Sequence, residues 1–99
     1  MNAVDRNKKV VAVVTGSSSG IGFETSLLLA KNGFFTYATM RDLDKSSKII
    51  DLKQKEKLPL EVLKLDVTDE KSVNEAIEKV ANEQGTIDVL VNNAGYALV

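Results

Sequence analysis

Residues 10 to 22 read Val10-Val11-Ala12-Val13-Val14-Thr15-Gly16-Ser17-Ser18-Ser19-Gly20-Ile21-Gly22, and this stretch decides the fold. Its first five residues are an unbroken apolar run, mostly β-branched, bounded by Lys8-Lys9 and by Thr15-Gly16. Continuous rather than alternating apolarity predicts a strand covered on both faces, the condition of a parallel sheet. The turn that follows holds three glycines within seven residues. Glycine tolerates positive φ and carries no Cβ, so a ligand can approach its backbone closely. Where such a turn opens a helix, the N–H groups and the helix dipole face an anion such as a diphosphate. The same composition also serves turn geometry alone. A P-loop is excluded, because no Lys followed by Ser or Thr comes after Gly20.

Outward from this turn the elements alternate. Ile21 to Asn32, rich in Leu and Ala, predicts a helix, with Gly33 placed as a left-handed C′ residue. Phe34 to Met40 predicts a second strand from its Phe, Thr and Tyr content. Asp42 to Lys57 predicts a lysine-rich, weakly amphipathic helix limited by Pro59, since the residue before proline avoids the α region. Leu60 to Leu65 is a third, less clean strand. Thr68 is expected to cap the next helix. There Val73, Ala76, Ile77, Val80 and Ala81 form one apolar stripe, Asp69 and Glu70 suit the dipole, and Gln84-Gly85 ends it. Ile87 to Val91 predicts a fourth, buried strand. The order β-α-β-α-β-α-β, with right-handed crossovers, predicts an α/β doubly wound parallel sheet in strand order 3-2-1-4. Ligands of such sheets bind beyond the carboxyl ends of the strands, at the switch point between strands one and four.

Composition narrows the function. Ninety-nine residues make one small domain or part of one. At 43% hydrophobic and 27% charged, with thirteen Lys and Arg against fourteen Asp and Glu, the chain is not of the disordered kind. A net charge of −1 argues against nucleic acid as a partner. The absence of Cys excludes disulfides, thiolate metal sites and a Cys nucleophile. The absence of His removes the commonest general base and the commonest metal ligand, so no metal site is expected. The five-residue run Val10–Val14 is shorter than a secretory or membrane-spanning segment, so a cytoplasmic protein without a membrane partner is expected.

The turn is spaced G-x-x-x-G-x-G rather than G-x-G-x-x-G. Thr15-Gly16-Ser17-Ser18-Ser19-Gly20-Ile21-Gly22 resembles the cofactor-binding motif of the short-chain dehydrogenase/reductase family. Leu65-Asp66-Val67 after the third strand and Asn92-Asn93-Ala94-Gly95 after the fourth are similar to that family's next two signatures, at similar spacing. The resemblance runs from strand one through strand four and implies a Rossmann-type domain that binds a nicotinamide dinucleotide. Carried over residue by residue, it puts Gly16, Gly20, Ile21 and Gly22 along the pyrophosphate and nicotinamide-ribose side. Ser18 and Ser19 would offer hydroxyls near the adenosine phosphates, and Asp66 would accept from the adenine amino group with the Val67 backbone beside it. Asn92, Ala94 and Gly95 would border the ribose and nicotinamide. The family also gives the first Asn a part in steadying the central sheet; a loop that merely satisfies its own backbone groups is the alternative for Asn92 and Asn93.

The end of strand two bears on which dinucleotide binds. An acidic residue there accepts from the ribose 2′-OH of NAD, and an Arg accommodates the 2′-phosphate of NADP. The sequence reads Thr39-Met40-Arg41-Asp42. Met40 stands where an NAD-preferring relative carries Asp, and Arg41 offers a planar, always-charged fork. NADP(H) is therefore favoured over NAD(H), although Asp42 is placed either to reach the ribose or to neutralise Arg41. Tyr37-Ala38-Thr39-Met40-Arg41-Asp42-Leu43 resembles the corresponding segment of relatives that act on steroids, retinoids and other bulky carbonyls, a hint that concerns cofactor preference more than substrate.

The resemblance also implies chemistry that these residues do not hold. The family uses a Tyr-x-x-x-Lys pair with a preceding Ser and an Asn. Tyr37 is followed four residues later by Arg41, and Tyr96 lies four residues from a position beyond Val99, so no catalytic residue is assigned. Residues 1 to 99 are expected to be the N-terminal, cofactor-binding half of an oxidoreductase that interconverts carbonyls and secondary alcohols, truncated after strand four and inactive alone. The alternative is a stand-alone flavodoxin-like module or interaction protein without turnover. The truncation would leave strand four as a long apolar edge that invites pairing with another copy, so a homo-oligomer is expected.

Overall fold

The computed structural model describes residues 9–93. Four strands, β1 (Val11–Val14), β2 (Phe35–Met40), β3 (Leu60–Lys64) and β4 (Val89–Val91), form one sheet in the order β3-β2-β1-β4. All three pairings are parallel, with Val11 beside Phe35, Ala12 beside Val89 and Thr36 beside Leu60. The crossovers are the helices α1 (Gly20–Lys31), α2 (Ser47–Glu56) and α3 (Glu70–Gln84). This is the expected doubly wound α/β arrangement.

The unbroken apolarity of β1 has the consequence foreseen for it, since all four of its residues are buried. Successive side chains point to opposite faces. On one face Ala38 and Met40 of β2 and Leu60 of β3 meet Phe23, Leu27 and Ala30 of α1 and Ile49 of α2. On the other, Val11, Val13 and Tyr37 meet Val80 of α3, with Phe35, Leu63 and Ile87 half-buried at the margin. Tyr37 is anchored there, donating its hydroxyl to Glu83 Oε1 (2.7 Å) and accepting from Gln84 Nε2 (3.1 Å), both on α3. Burial first, and then the bond to Glu83, push the Tyr37 hydroxyl up to about 12.

Helix ends follow local chemistry. Past α1, Gly33 adopts φ +90°, its N–H reaching Ala30 O and that of Phe34 reaching Leu29 O, the paired closure of a Schellman motif. After α2 the left-handed position falls to a non-glycine, Lys57, at φ 54°. The reversal therefore precedes Leu58-Pro59, and proline only prevents resumption of the helix.

Three expectations are corrected. The segment Asp42 to Lys57 is not one helix, because a single 3₁₀ turn, Leu43–Lys45, precedes α2. Asp42 Oδ1 accepts from Asp44 N–H (2.9 Å) and Ser46 Oγ donates to Leu43 O (2.6 Å), local bonds that close this turn separately. The cap of α3 is Asp69, whose Oδ1 takes the N–H groups of Lys71 (3.1 Å) and Ser72 (3.5 Å). Thr68 is spent on Asp66 instead. Finally, β4 is neither buried nor long: it has three residues, and Leu90 is 58% exposed. It pairs only with β1 among the described residues, so its outer edge and much of its α3-side face stay uncovered. Among the described residues no helix is long and apolar enough to cross a membrane.

Candidate functional site

Parallel pairing brings all four strand ends to one side of the sheet, so the residues just after β1, β2 and β3 converge. They enclose a cleft of about 310 Å³ lined by Gly16 and Ser18 after β1, by Met40, Arg41, Asp42 and Lys45 at and beyond the end of β2, and by Leu65–Thr68 after β3. Five residues singled out from sequence are thus brought together: Gly16, Ser18, Arg41, Asp66 and Val67. The cleft lies over the β1-β2-β3 ends rather than at the switch point between β1 and β4.

Ser19, Gly20, Ile21, Gly22 and Asn92 do not line it. Gly16 and Gly20 both adopt positive φ (65° and 61°), which the reversal from strand into helix requires. Ser19 is the exposed N-cap residue of α1 and makes no side-chain capping bond, and the first turn of α1 carries no acidic residue. By contrast, α3 has both a carboxylate cap and Glu70 in its first turn. The N-terminus of α1 therefore presents N–H groups and positive dipole to whatever approaches the glycine turn. Ile21 is 75% exposed in that first turn. Gly22 lies inside the turn, where a Cβ would meet Gly16 O at 2.1 Å and Asn93 Nδ2 at 2.7 Å, so no side chain fits.

The segment after β4 is tied to the same turn. Thr15 N–H donates to Val91 O (3.0 Å), and Thr15 Oγ1 accepts from Asn93 N–H (2.9 Å). The Thr15 hydroxyl faces Asn92 Oδ1 at 3.3 Å, and Asn93 Nδ2 donates to Gly16 O at 3.3 Å. Asn92 thus joins the ends of β1 and β4, while Asn93 closes on the glycine turn. Ala94 and Gly95 lie outside the described residues.

Electrostatics divide the cleft. Asp66 Oδ1 accepts both the hydroxyl (2.6 Å) and the N–H (3.0 Å) of Thr68. These bonds, and then the charges of Arg41 and Lys64, hold its carboxyl below the usual value. Asp66 is therefore a fixed acceptor, ionised at neutral pH, with Oδ2 making no bond among the described residues. Across from it Arg41 and Lys45 bring two exposed cations, neither of them ion-paired among the described residues. Asp42, also on the cleft, caps the 3₁₀ turn with its Oδ1, and its Oδ2 makes no bond among the described residues. A wall with two cations, a hydroxyl and glycine backbone suits phosphate, and a wall with a fixed carboxylate suits an exocyclic amine.

Lys45 and Thr68 were not singled out as site residues from sequence. Lys45 reaches the cleft only because the chain after β2 makes a 3₁₀ turn before α2, which the helical pattern of residues 42–57 conceals. Thr68 carried a usable signal: Asp-x-Thr is an Asx-turn pattern, in which the Thr N–H and hydroxyl return to the Asp.

Comparison with known proteins agrees with this geometry. Residues 10–99 match the model of the short chain dehydrogenase family. The chain is 44% identical over 87 residues to the 3-oxoacyl-[acyl-carrier-protein] reductase of Thermotoga maritima, covering 86% of this chain and 35% of that one. It is 41% identical over 97 residues to human 17-beta-hydroxysteroid dehydrogenase type 1, covering 92% and 29% respectively. Among solved structures, an actinorhodin polyketide ketoreductase determined with NADPH superimposes with a TM-score of 0.80 at 30% identity, over 88% of this chain and 33% of that one. The chain thus spans about a third of the length of these relatives. A turn without room for a side chain, an uncapped α1 and an Asp66 cleft at the ends of a 3-2-1-4 sheet accompany a family match over nearly all of the sequence, and the chain belongs to the short-chain dehydrogenase family.

Proposed function

We propose that this chain is the dinucleotide-binding portion of an oxidoreductase that interconverts carbonyls and secondary alcohols, with NADP(H) preferred over NAD(H). The observation that carries the preference is the placing of Arg41 and Lys45 on one cleft with Ser18, at a strand end where residue 40 is Met. Of the two carboxylates on the same cleft, Asp42 has its Oδ1 engaged by Asp44 N–H and Asp66 has its Oδ1 engaged by Thr68. The bound nicotinamide would supply or accept the hydride. The chain's own residues hold and orient. Gly16 and Gly22 keep the turn free of side chains, and the first N–H groups of α1 face the diphosphate. Asp66 accepts from the adenine amino group, and Arg41 with Lys45 neutralises the 2′-phosphate. Asn92 and Asn93, together with Ala94 and Gly95 beyond the described residues, would border the ribose and nicotinamide. These 99 residues contain no Tyr followed four positions later by Lys, so no turnover is expected from them alone.

Calorimetric titration of the chain and of Arg41→Ala with NADPH and NADH tests this. The chain should bind NADPH more tightly. Arg41→Ala should weaken NADPH by about 10- to 100-fold, the worth of a charge-assisted phosphate contact, while moving NADH little. Equal affinities in the unaltered chain, or an equal loss for both in the variant, would refute the preference.

A further inference from the structure

Two hydroxyls behind the glycine turn have no part in the reading above. Ser17 and Ser26 are both fully buried, and their Oγ atoms lie 2.9 Å apart. Ser17 Oγ also donates to Val14 O (2.9 Å). A hydroxyl has one proton, so with that of Ser17 committed to Val14, the bond between the serines is donated by Ser26. Ser17 N–H in turn donates to Thr39 O (2.9 Å), and Thr39 Oγ1 donates to the same Val14 O (2.9 Å). Ser17 is therefore held on three sides: by the end of β1, by the end of β2 and, through Ser26, by the second turn of α1. The residues flanking Ser17, Gly16 and Ser18, both line the cleft.

We infer that Ser26 is a positioning residue for dinucleotide binding: its buried hydroxyl fixes Ser17, and through it sets the glycine turn against α1 in the form that receives the diphosphate. This rests on the function proposed above. Alanine is a good helix former and no larger than serine, so Ser26→Ala removes the bond without a packing clash. The link from Ser26 acts on the turn that NADPH and NADH share, whereas Arg41 acts on the 2′-phosphate alone. The signature of Ser26 is therefore an equal loss for both dinucleotides with their ratio unchanged.

The test combines calorimetric titration of the chain, Ser26→Ala, Ser17→Ala and the double variant with amide exchange of each unliganded protein by NMR. Ser26→Ala is expected to weaken NADPH and NADH alike by roughly 3- to 10-fold, the worth of one neutral hydrogen bond. The double variant should be no weaker than Ser17→Ala, because the two hydroxyls act through one link. Exchange at the Ser17 amide should quicken by about tenfold in Ser26→Ala, with the amides of Ala12 and Ala38 unchanged. Affinities like those of the unaltered chain, additive losses, or an unchanged Ser17 amide would each overturn the inference. Failure of the unaltered chain to bind either dinucleotide would overturn the proposed function and this role with it. That outcome is distinct, because it appears without any substitution.

Discussion

Gly22 shows what a single residue contributes to the site. Its position is set by contact, because Gly16 O and Asn93 Nδ2 both stand where a Cβ would go. A backbone carbonyl cannot swing aside as a flexible side chain would, so Gly22→Ala must push α1 away from the turn. Overpacking of this kind costs about 3 kcal/mol, and a domain of this size loses roughly 4–8 °C in Tm per kcal/mol. Calorimetry should therefore show a Tm lowered by more than about 10 °C, with NADPH affinity lost in whatever stays folded. An unchanged Tm with unchanged affinity would contradict the close packing. Tyr37 makes a different residue-scale case. Its hydroxyl, pushed up to about 12 from an ordinary 10.0, keeps its proton in the folded chain where the unfolded chain loses it. That contribution is whole below pH 10 and disappears as pH rises from 10 to 12. Denaturant titrations across this interval should show the chain losing stability more steeply than Tyr37→Phe. Parallel slopes would show that burial and the bond to Glu83 do not hold the phenol neutral.

Among the elements, α2 is the one whose end is strained. Lys57 sits at φ 54°, a conformation that costs an L-residue with a Cβ roughly 1 kcal/mol. Lys57→Gly should raise Tm by up to about 4 °C, since the side chain is exposed and the left-handed turn already exists, while the added freedom of the unfolded chain offsets part of the relief. A lowered Tm would mean that the loss of chain stiffness outweighs the relief. The element scale also shows what the sequence could reveal. The strands were legible because their burial is: β1 is apolar throughout and covered on both faces, and Gly33 marks the end of α1 by the conformation it must adopt. What escaped was settled by short-range competition among polar side chains. Asp42 and Ser46 detach a 3₁₀ turn from α2, and Asp69 displaces Thr68 as the cap because Thr68 is already bonded to Asp66. The periodicity of apolar residues is blind to such choices. Lys45 was missed as a site residue for this reason, while Arg41 was found because it directly follows β2, and Asp66 because Leu65-Asp66-Val67 resembles a family signature.

At the scale of the whole molecule the sheet is covered unequally. The face toward α1 and α2 buries residues from both helices and from β2 and β3, whereas the face toward α3 buries Val80 against Val11, Val13 and Tyr37 and leaves Leu90 exposed. The cleft belongs to the better-covered part, over the ends of β1, β2 and β3, so the site stands on the firmer portion of the chain. The overall arrangement was legible from the alternation of strands and helices, but the thin cover of β4 was not, because an apolar strand reads as buried whether or not its neighbours are present. In the proposed function the Gly16-to-Asp66 cleft receives a nicotinamide dinucleotide. The most direct measurement is an NMR titration of the isotopically labelled chain with NADPH, followed at every backbone amide. The largest shifts should fall on Gly16 to Gly22, Arg41 to Lys45 and Asp66 to Thr68, and a second groove, formed by Leu63 and Lys64 of β3 with Lys71, Glu75 and Lys79 of α3, should stay unmoved. Shifts centred on that groove, or none at all in a folded chain, would contradict it.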